Sequence, residues 1–221
     1  MLQRETFATT EADRWFYRNR AALVDRAPES DLPLRLLELY RLAPRRVLEI
    51  GAANGWRLAE IARQGRATRV VAVEPSSDAI ADGNARFPAV EFHQGVVTAT
   101  GLREQFDLVI VHYVLHWVDR GELLQAVAEI DRLVADGGYL LVGDFSPDAL
   151  TRVRYHHRPD LSLFTWKQPY GELWLASGLY TEIAMLTNHH GAGLAPEVED
   201  QDRGAVWLLR KRGGERYREP G

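Results

Sequence analysis

The sequence predicts an α/β fold: a Rossmann-like, doubly wound sheet of seven mostly parallel strands, with N-terminal helices and an aromatic-rich insertion after strand 5. Three observations carry this. Short β-branched runs alternate with helix-period segments from residue 47 to residue 142. The run "VLEIGAANGW" passes from a buried-strand pattern directly into small, glycine-spaced residues. Finally, 221 residues, 46% of them hydrophobic, suffice for one sizeable core.

Two helical patterns precede the first strand. Residues 11–26 set Trp15, Phe16 and Leu23 among charges, and Asp31 caps a second pattern through Leu34, Leu37 and Leu42. Strand 47–50, helix 54–64, strand 70–73, helix 76–85 and strand 90–93 follow, then strand 108–111, helix 119–135 and strand 139–142. "DRGE" reads as a capping box for helix 119–135. Leu123, Val127, Ile130 and Val134 form its apolar stripe, and Gly137-Gly138 is expected to end it. Residues 146–178 lack periodicity and read as a substrate-side insertion, and strands 180–187 and 205–210 close the chain. One domain is expected: a helical cap (1–44), a cofactor-binding core (45–145), the insertion (146–178) and the closing strand pair (179–221).

A net charge of −4 supplies no basic field for nucleic acid. The absence of cysteine excludes disulfides, thiolate zinc sites and a cysteine nucleophile. No apolar run approaches the roughly 20 residues that span a bilayer. The expectation is a cytoplasmic protein, a monomer or homodimer, with a small-molecule substrate and neither nucleic acid nor membrane as partner.

Glu49-Ile50-Gly51 ends a strand and Asn54-Gly55 opens a helix, which places backbone amides at the carboxyl end of the sheet, where open α/β folds bind ligands. A dinucleotide fingerprint needs glycine at 51, 53 and 56; the chain has Gly51, Ala53 and Trp56. No Gly-Lys-Ser/Thr of a P-loop is present. Glu74 ends the second strand, where a carboxylate can accept both hydroxyls of a ribose.

Four segments in order, "EIGAANG", "VVAVEPS", "FDLVIVHYVLHWV" and "LVADGGYLLVGDF", resemble the class I S-adenosylmethionine-dependent methyltransferases. The resemblance implies S-adenosyl-L-methionine as methyl donor and S-adenosyl-L-homocysteine as product. It implies that Glu49, Gly51, Ala53, Asn54 and Gly55 form the cradle, that Glu74 with Pro75 and Ser76 holds the ribose, that Val96 meets the adenine, and that His112 lies under the methionine part. With an ordinary backbone at Ala53, the cradle would be narrowed by one methyl. "TEADRWFYRNR" resembles a lid helix, which makes Tyr17 and Arg18 candidates for closing over the donor; core packing fits Trp15 and Phe16 equally well.

Methyl transfer from a sulfonium is an in-line displacement that needs alignment and, for a hydroxyl acceptor, removal of a proton. It requires no metal. With no cysteine adduct available, no Asp-Pro-Pro-aromatic run and no Asn beside Asp144, metal-free methylation of a small molecule, most simply at oxygen, is the expected reaction. His156 or His157 is the preferred base, with Asp144, His112 and His116 also placed where loops meet the donor. Tyr113, His116, Trp117, Tyr155, Trp166, Lys167, Tyr170 and Trp174 are candidates for binding substrate, and the aromatics fit plain packing equally well. The motif run resembles small methyltransferases of sugar and sugar-nucleoside (tunicamycin-type) biosynthesis clusters, which implies a sugar- or nucleoside-type acceptor. The rival reading is a non-catalytic, S-adenosylmethionine-binding accessory or resistance protein.

Overall fold

Short runs that are apolar on both sides of the backbone suit central strands covered on both faces, and those around Leu48, Val71 and Val109 form the middle of one sheet. The computed structural model describes residues 3–24, 26–190, 193–195 and 197–213. In chain order it contains α1 (Gln3–Thr6), a π-helical stretch (Phe7–Glu11), α2 (Ala12–Val24), α3 (Leu32–Leu39), β1 (Arg46–Ile50), α4 (Trp56–Arg63), β2 (Arg69–Glu74) and α5 (Ser77–Arg86). Then come β3 (Val90–Gln94), β4 (Phe106–His112), a 3-10 turn (Leu115–Trp117), α6 (Leu123–Leu133), β5 (Val134–Phe145), β6 (Thr151–Arg154), β7 (Phe164–Lys167), α7 (Glu172–Ala176), β8 (Tyr180–His189), β9 (Gly193–Leu194) and β10 (Arg203–Lys211).

The sheet runs β3-β2-β1-β4-β5-β10-β8-β9. Strands β1 to β5 pair in parallel, and β10 lies antiparallel between β5 and β8. The seven expected strands are all present; the two-residue β9 adds an eighth. Strand order reverses between β1 and β4, and such a switch point leaves a crevice beyond the strand ends. Alternation along β1 and β4 feeds two cores. Leu48, Ile50, Val109 and Val111 pack with Ala126, Ile130 and Trp174 on one face. Val47, Leu108 and Ile110 pack with Phe16, Leu36, Leu37 and Ile61 on the other.

Two local expectations are corrected. Helix α6 begins at Leu123 without a side-chain cap. The two carboxylates of "DRGE" are taken by the N-terminal segment instead: Asp119 accepts the Gln3 N–H at 2.7 Å, and Glu122 pairs with Arg4 at 2.5 Å. The helix ends at Leu133 and the chain enters β5 at once, so Gly137-Gly138 lies inside the strand, where its pairing with β4 shifts register. The insertion, which lacked any period, forms the β6–β7 hairpin, with Arg152 over the Phe164 ring at 4.5 Å, followed by α7. Among the described residues no helix is long and apolar enough to cross a membrane.

Candidate functional site

A cavity of about 670 Å³ opens at the carboxyl ends of β1, β2 and β4, beneath the N-terminal helices. Its floor is the turn after β1. Gly51, Ala53 and Gly55 all have left-handed backbones, with φ of +73°, +50° and +74°. Side chains are excluded at the glycines by contact as well: a Cβ at Gly51 would lie 2.3 Å from Val114, and one at Gly55 would lie 2.7 Å from Phe92. Ala53 therefore occupies the conformation of a missing glycine, so the condition of an ordinary backbone there is not met. A methyl in that region costs about 1–2 kcal/mol.

The turn is tied to the end of β2. Glu74 accepts the Ala53 N–H at 2.8 Å through one oxygen and the Ser76 N–H at 2.9 Å through the other. Each carboxylate oxygen keeps a further lone pair, and Glu74 lines the cavity. Burial raises its pKa to about 7, against the pull of the two amide donors.

Beside the floor lies a buried charge cluster. Arg57, in the first turn of α4, donates to both oxygens of Asp31 at 2.9 Å and to Glu49 through Nη1. Asp31 also caps α3 by accepting the Leu34 N–H, as expected from its place in the sequence. Burial opposes ionisation of Asp31, but the charge and hydrogen bonds of Arg57 prevail and hold its pKa below the ordinary carboxylate value. Glu49 has a single bond from the same guanidinium; burial, with repulsion from Asp31, raises its pKa to about 7. Its Oε2 is buried without a partner. His112, whose Nδ1 lies 3.3 Å from Arg57, is pushed down to about 3 by burial and by that positive charge, so it stays neutral.

The third wall is built by the loop after β4 and the end of β8. Tyr113 is left-handed at φ +57°, its N–H donates to Gly143 O at 2.7 Å, and its hydroxyl accepts from Asn188 Nδ2 at 3.0 Å. Asn188, His189 and His190 line this end of the cavity, and the rings of Trp117 and Phe7, tilted by 41° with centres 4.9 Å apart, line it too.

Of the expected donor-binding residues, Glu49, Gly51, Ala53, Glu74, Pro75, Val96 and His112 line the cavity, as do Tyr113 and Trp117 among those assigned to substrate. Others are corrected. Asn54 and Ser76 are buried supports: Asn54 donates to Asp82 at 2.9 Å, and Ser76 caps α5. Gly55 shapes the turn from behind the lining. Tyr17 is 61% exposed and lies outside the cavity lining, and Arg18 is held by Glu11 and by Tyr155, whose hydroxyl donates to Glu11 at 2.7 Å. Tyr170 and Trp174 are core residues, Trp166 stacks beneath Arg120 at 5.3 Å, and Lys167 lies over the Phe145 ring at 4.3 Å. Asp144 and His116 are both buried and joined at 2.9 Å, with Asp144 also accepting the His116 and Phe145 N–H groups; neither lines the cavity. His156 and His157, the expected bases, are exposed on the turn after β6, outside the lining.

Arg26, Asp31, Arg57, Asn188 and His190 are among the lining residues that were not singled out from the sequence as site residues. "NHHG" at the end of a strand was the available signal for the last two.

Residues 47–138 match the family described as Methyltransferase domain. The malonyl-[acyl-carrier protein] O-methyltransferase of Halorhodospira halophila (strain DSM 244 / SL1) is 28% identical over 129 residues, 57% of this chain; the match spans 43% of that relative, less than half its length. Among solved structures, the Burkholderia thailandensis 1,6-didemethyltoxoflavin-N1-methyltransferase, bound to 1,6-didemethyltoxoflavin and S-adenosylhomocysteine, superimposes with a TM-score of 0.67 at 20% identity, covering 95% of this chain and 86% of its own. The N-methyltransferase NodS of Bradyrhizobium japonicum WM9 with S-adenosyl-L-homocysteine gives 0.59 at 18%, covering 90% and 98%. Residues 47–138 thus resemble a methyltransferase domain, and the chain shares its Rossmann-like fold with S-adenosylmethionine-dependent methyltransferases of known structure.

Proposed function

We propose that the protein transfers a methyl group from S-adenosylmethionine to a small molecule, most simply to an oxygen of a sugar- or nucleoside-type intermediate. The observation that carries the donor assignment is Glu74: a buried carboxylate at the end of β2, fixed by two backbone amides, with lone pairs left for the two hydroxyls of a ribose. The rest of the cavity fits the same molecule. Glu49 Oε2 is a buried acceptor without a partner, suited to an ammonium, and Arg26 lines the same region as a cation for a carboxylate. Val96 and Val97 offer an apolar wall for a base.

When bound, the donor supplies an electrophilic methyl on a sulfonium. The chain's own residues hold that group in line with an acceptor and exclude water, and neutral His112 adds no positive charge next to the sulfonium. The sugar- or nucleoside-type acceptor rests on motif resemblance together with aromatic rings in the cavity lining, Phe7 and Trp117, that suit stacking on a sugar or base.

Calorimetric titration with S-adenosylmethionine and S-adenosylhomocysteine tests the reading. Both should bind, and Glu74→Ala should weaken both by about 10- to 100-fold, the scale of losing charge-assisted hydrogen bonds. Absence of binding by the folded wild type would overturn it. Screening nucleosides and sugars with methyl-labelled donor then identifies the acceptor.

A further inference from the structure

Asn188 lies near the end of β8, and His190 is the first residue beyond that strand. Asn188 pairs with Gly204 in the ladder, and the His190 N–H continues that pairing by donating to Asp202 O at 2.8 Å. Both meet the same ring: Asn188 reaches the Tyr113 hydroxyl, and the His190 ring centre lies 4.7 Å from that of Tyr113.

Three features show that this corner is built rather than incidental. Tyr113 holds a left-handed backbone, unusual and strained for a bulky residue. Gly204, the ladder partner of Asn188, leaves the space for it, since a Cβ there would fall 2.4 Å from the Tyr113 hydroxyl and 3.0 Å from Asn188 Oδ1. Asn188 is only 5% exposed, lines the cavity, and keeps Oδ1 without a partner. Turning the amide over exchanges the two atoms and still leaves one polar atom unpaired in the cavity wall.

We propose that Asn188 and His190 form the acceptor subsite: Asn188 anchors one donor group of the substrate, and His190 takes the proton of the neighbouring O–H or N–H that becomes methylated. This rests on the methyltransferase reading and narrows the acceptor to a neutral molecule carrying two adjacent hydrogen-bond donors, as a vicinal diol does. In the step, a lone pair of the acceptor atom forms the new bond to carbon, the carbon–sulfur pair returns to sulfur to leave a neutral thioether, and the acceptor's proton passes to the His190 imidazole. The single positive charge moves from sulfonium to imidazolium, so the step balances without another reactant.

The charges around His190 fit this use. His190 is exposed on one side, and desolvation on its packed side holds its pKa below the ordinary histidine value, helped by His116 and Lys167 and opposed by Asp144 and Asp202, while Tyr113 and Phe145 present neutral rings. The imidazole is thus a neutral acceptor at pH 7.

The test uses the full chain saturated with S-adenosylhomocysteine, with catechol as a two-donor probe and 1,2-dimethoxybenzene as the same shape without donors. Catechol should bind about tenfold or more tighter, and should shift the Asn188 side-chain amide and His190 ring signals in nuclear magnetic resonance spectra. Asn188→Leu should abolish the discrimination. Catechol affinity should fall as His190 protonates in the wild type, and this fall should be absent in His190→Gln. Equal binding of the two probes, or discrimination that survives Asn188→Leu, overturns the proposal. Affinity for S-adenosylhomocysteine, measured in each variant, separates the outcomes: its loss in the wild type sinks the methyltransferase reading, while its retention with equal probe binding sinks the acceptor subsite alone.

Discussion

Ala53 donates its backbone N–H to Glu74 Oε2 at 2.8 Å, and it does so from a left-handed conformation at φ +50°. The strained turn and the carboxylate are thus one unit: the backbone that an alanine resists is the one that aims its amide at Glu74.

Ala53→Gly should therefore stabilise the protein. Relief of the left-handed backbone gains about 1–2 kcal/mol, and the greater freedom of glycine in the unfolded chain returns about 0.4–1. A net gain of roughly 0.5–1 kcal/mol in urea denaturation is expected, with donor affinity retained because the amide still reaches Glu74. A loss of stability would contradict the strain.

Glu74 should make donor binding pH-dependent. Its pKa of about 7 in the free protein means that it is about half protonated near neutrality. Hydroxyl donors favour the ionised form, so binding should release a proton there, and affinity should rise between about pH 6 and pH 8. Calorimetry in buffers of different ionisation enthalpy reads the proton directly, and Glu74→Gln should remove it. The sign for folding is opposite. A carboxyl raised from 4.5 to about 7 contributes stability that is complete below the unfolded value and is lost as pH rises through the folded one. Glu49, also at about 7, adds to the same trend.

The floor of the cavity was legible because it is local. Glu49, Gly51, Ala53 and Glu74 follow from a strand, a turn and the next strand's end, and the left-handed positions fall at the spacing of a glycine motif. The opposite wall was illegible for the converse reason. Asp31 and Arg57 meet through the packing of α3 against the turn, and Asn188 reaches Tyr113 only because β10 inserts between β5 and β8. In the insertion, aromatic and histidine content suggested a substrate wall, yet Tyr170 and Trp174 serve the core and His156 and His157 face solvent. Composition alone does not distinguish a ring that packs from one that lines a cavity. The "DRGE" capping box failed similarly, because tertiary partners Gln3 and Arg4 took both carboxylates.

Exposure gives His156 and His157 a plain prediction. Neither lines the cavity, so His156→Ala and His157→Ala should each leave S-adenosylhomocysteine affinity unchanged and shift stability by no more than about 0.5 kcal/mol. A large loss of affinity in either variant would mean that the turn after β6 reaches the donor.

Arg57 should be the residue on which the cavity most depends. Its guanidinium is the partner of two buried carboxylates, and neither Asp31 nor Glu49 has another cation bonded to it among the described residues. Arg57→Met keeps much of the volume and removes the charge, which leaves Asp31 and Glu49 facing each other in a buried site. A loss of about 3–5 kcal/mol is expected from breaking such a cluster on one side. Because the orphaned carboxyls can escape the penalty by taking up protons, the loss should be smaller near pH 5 than near pH 8, and a double variant Arg57→Met with Glu49→Gln should recover part of it. Denaturation midpoints across that range decide the matter: a pH-independent loss would assign the effect to packing around Trp56, over which Arg57 also lies at 5.3 Å, rather than to charge.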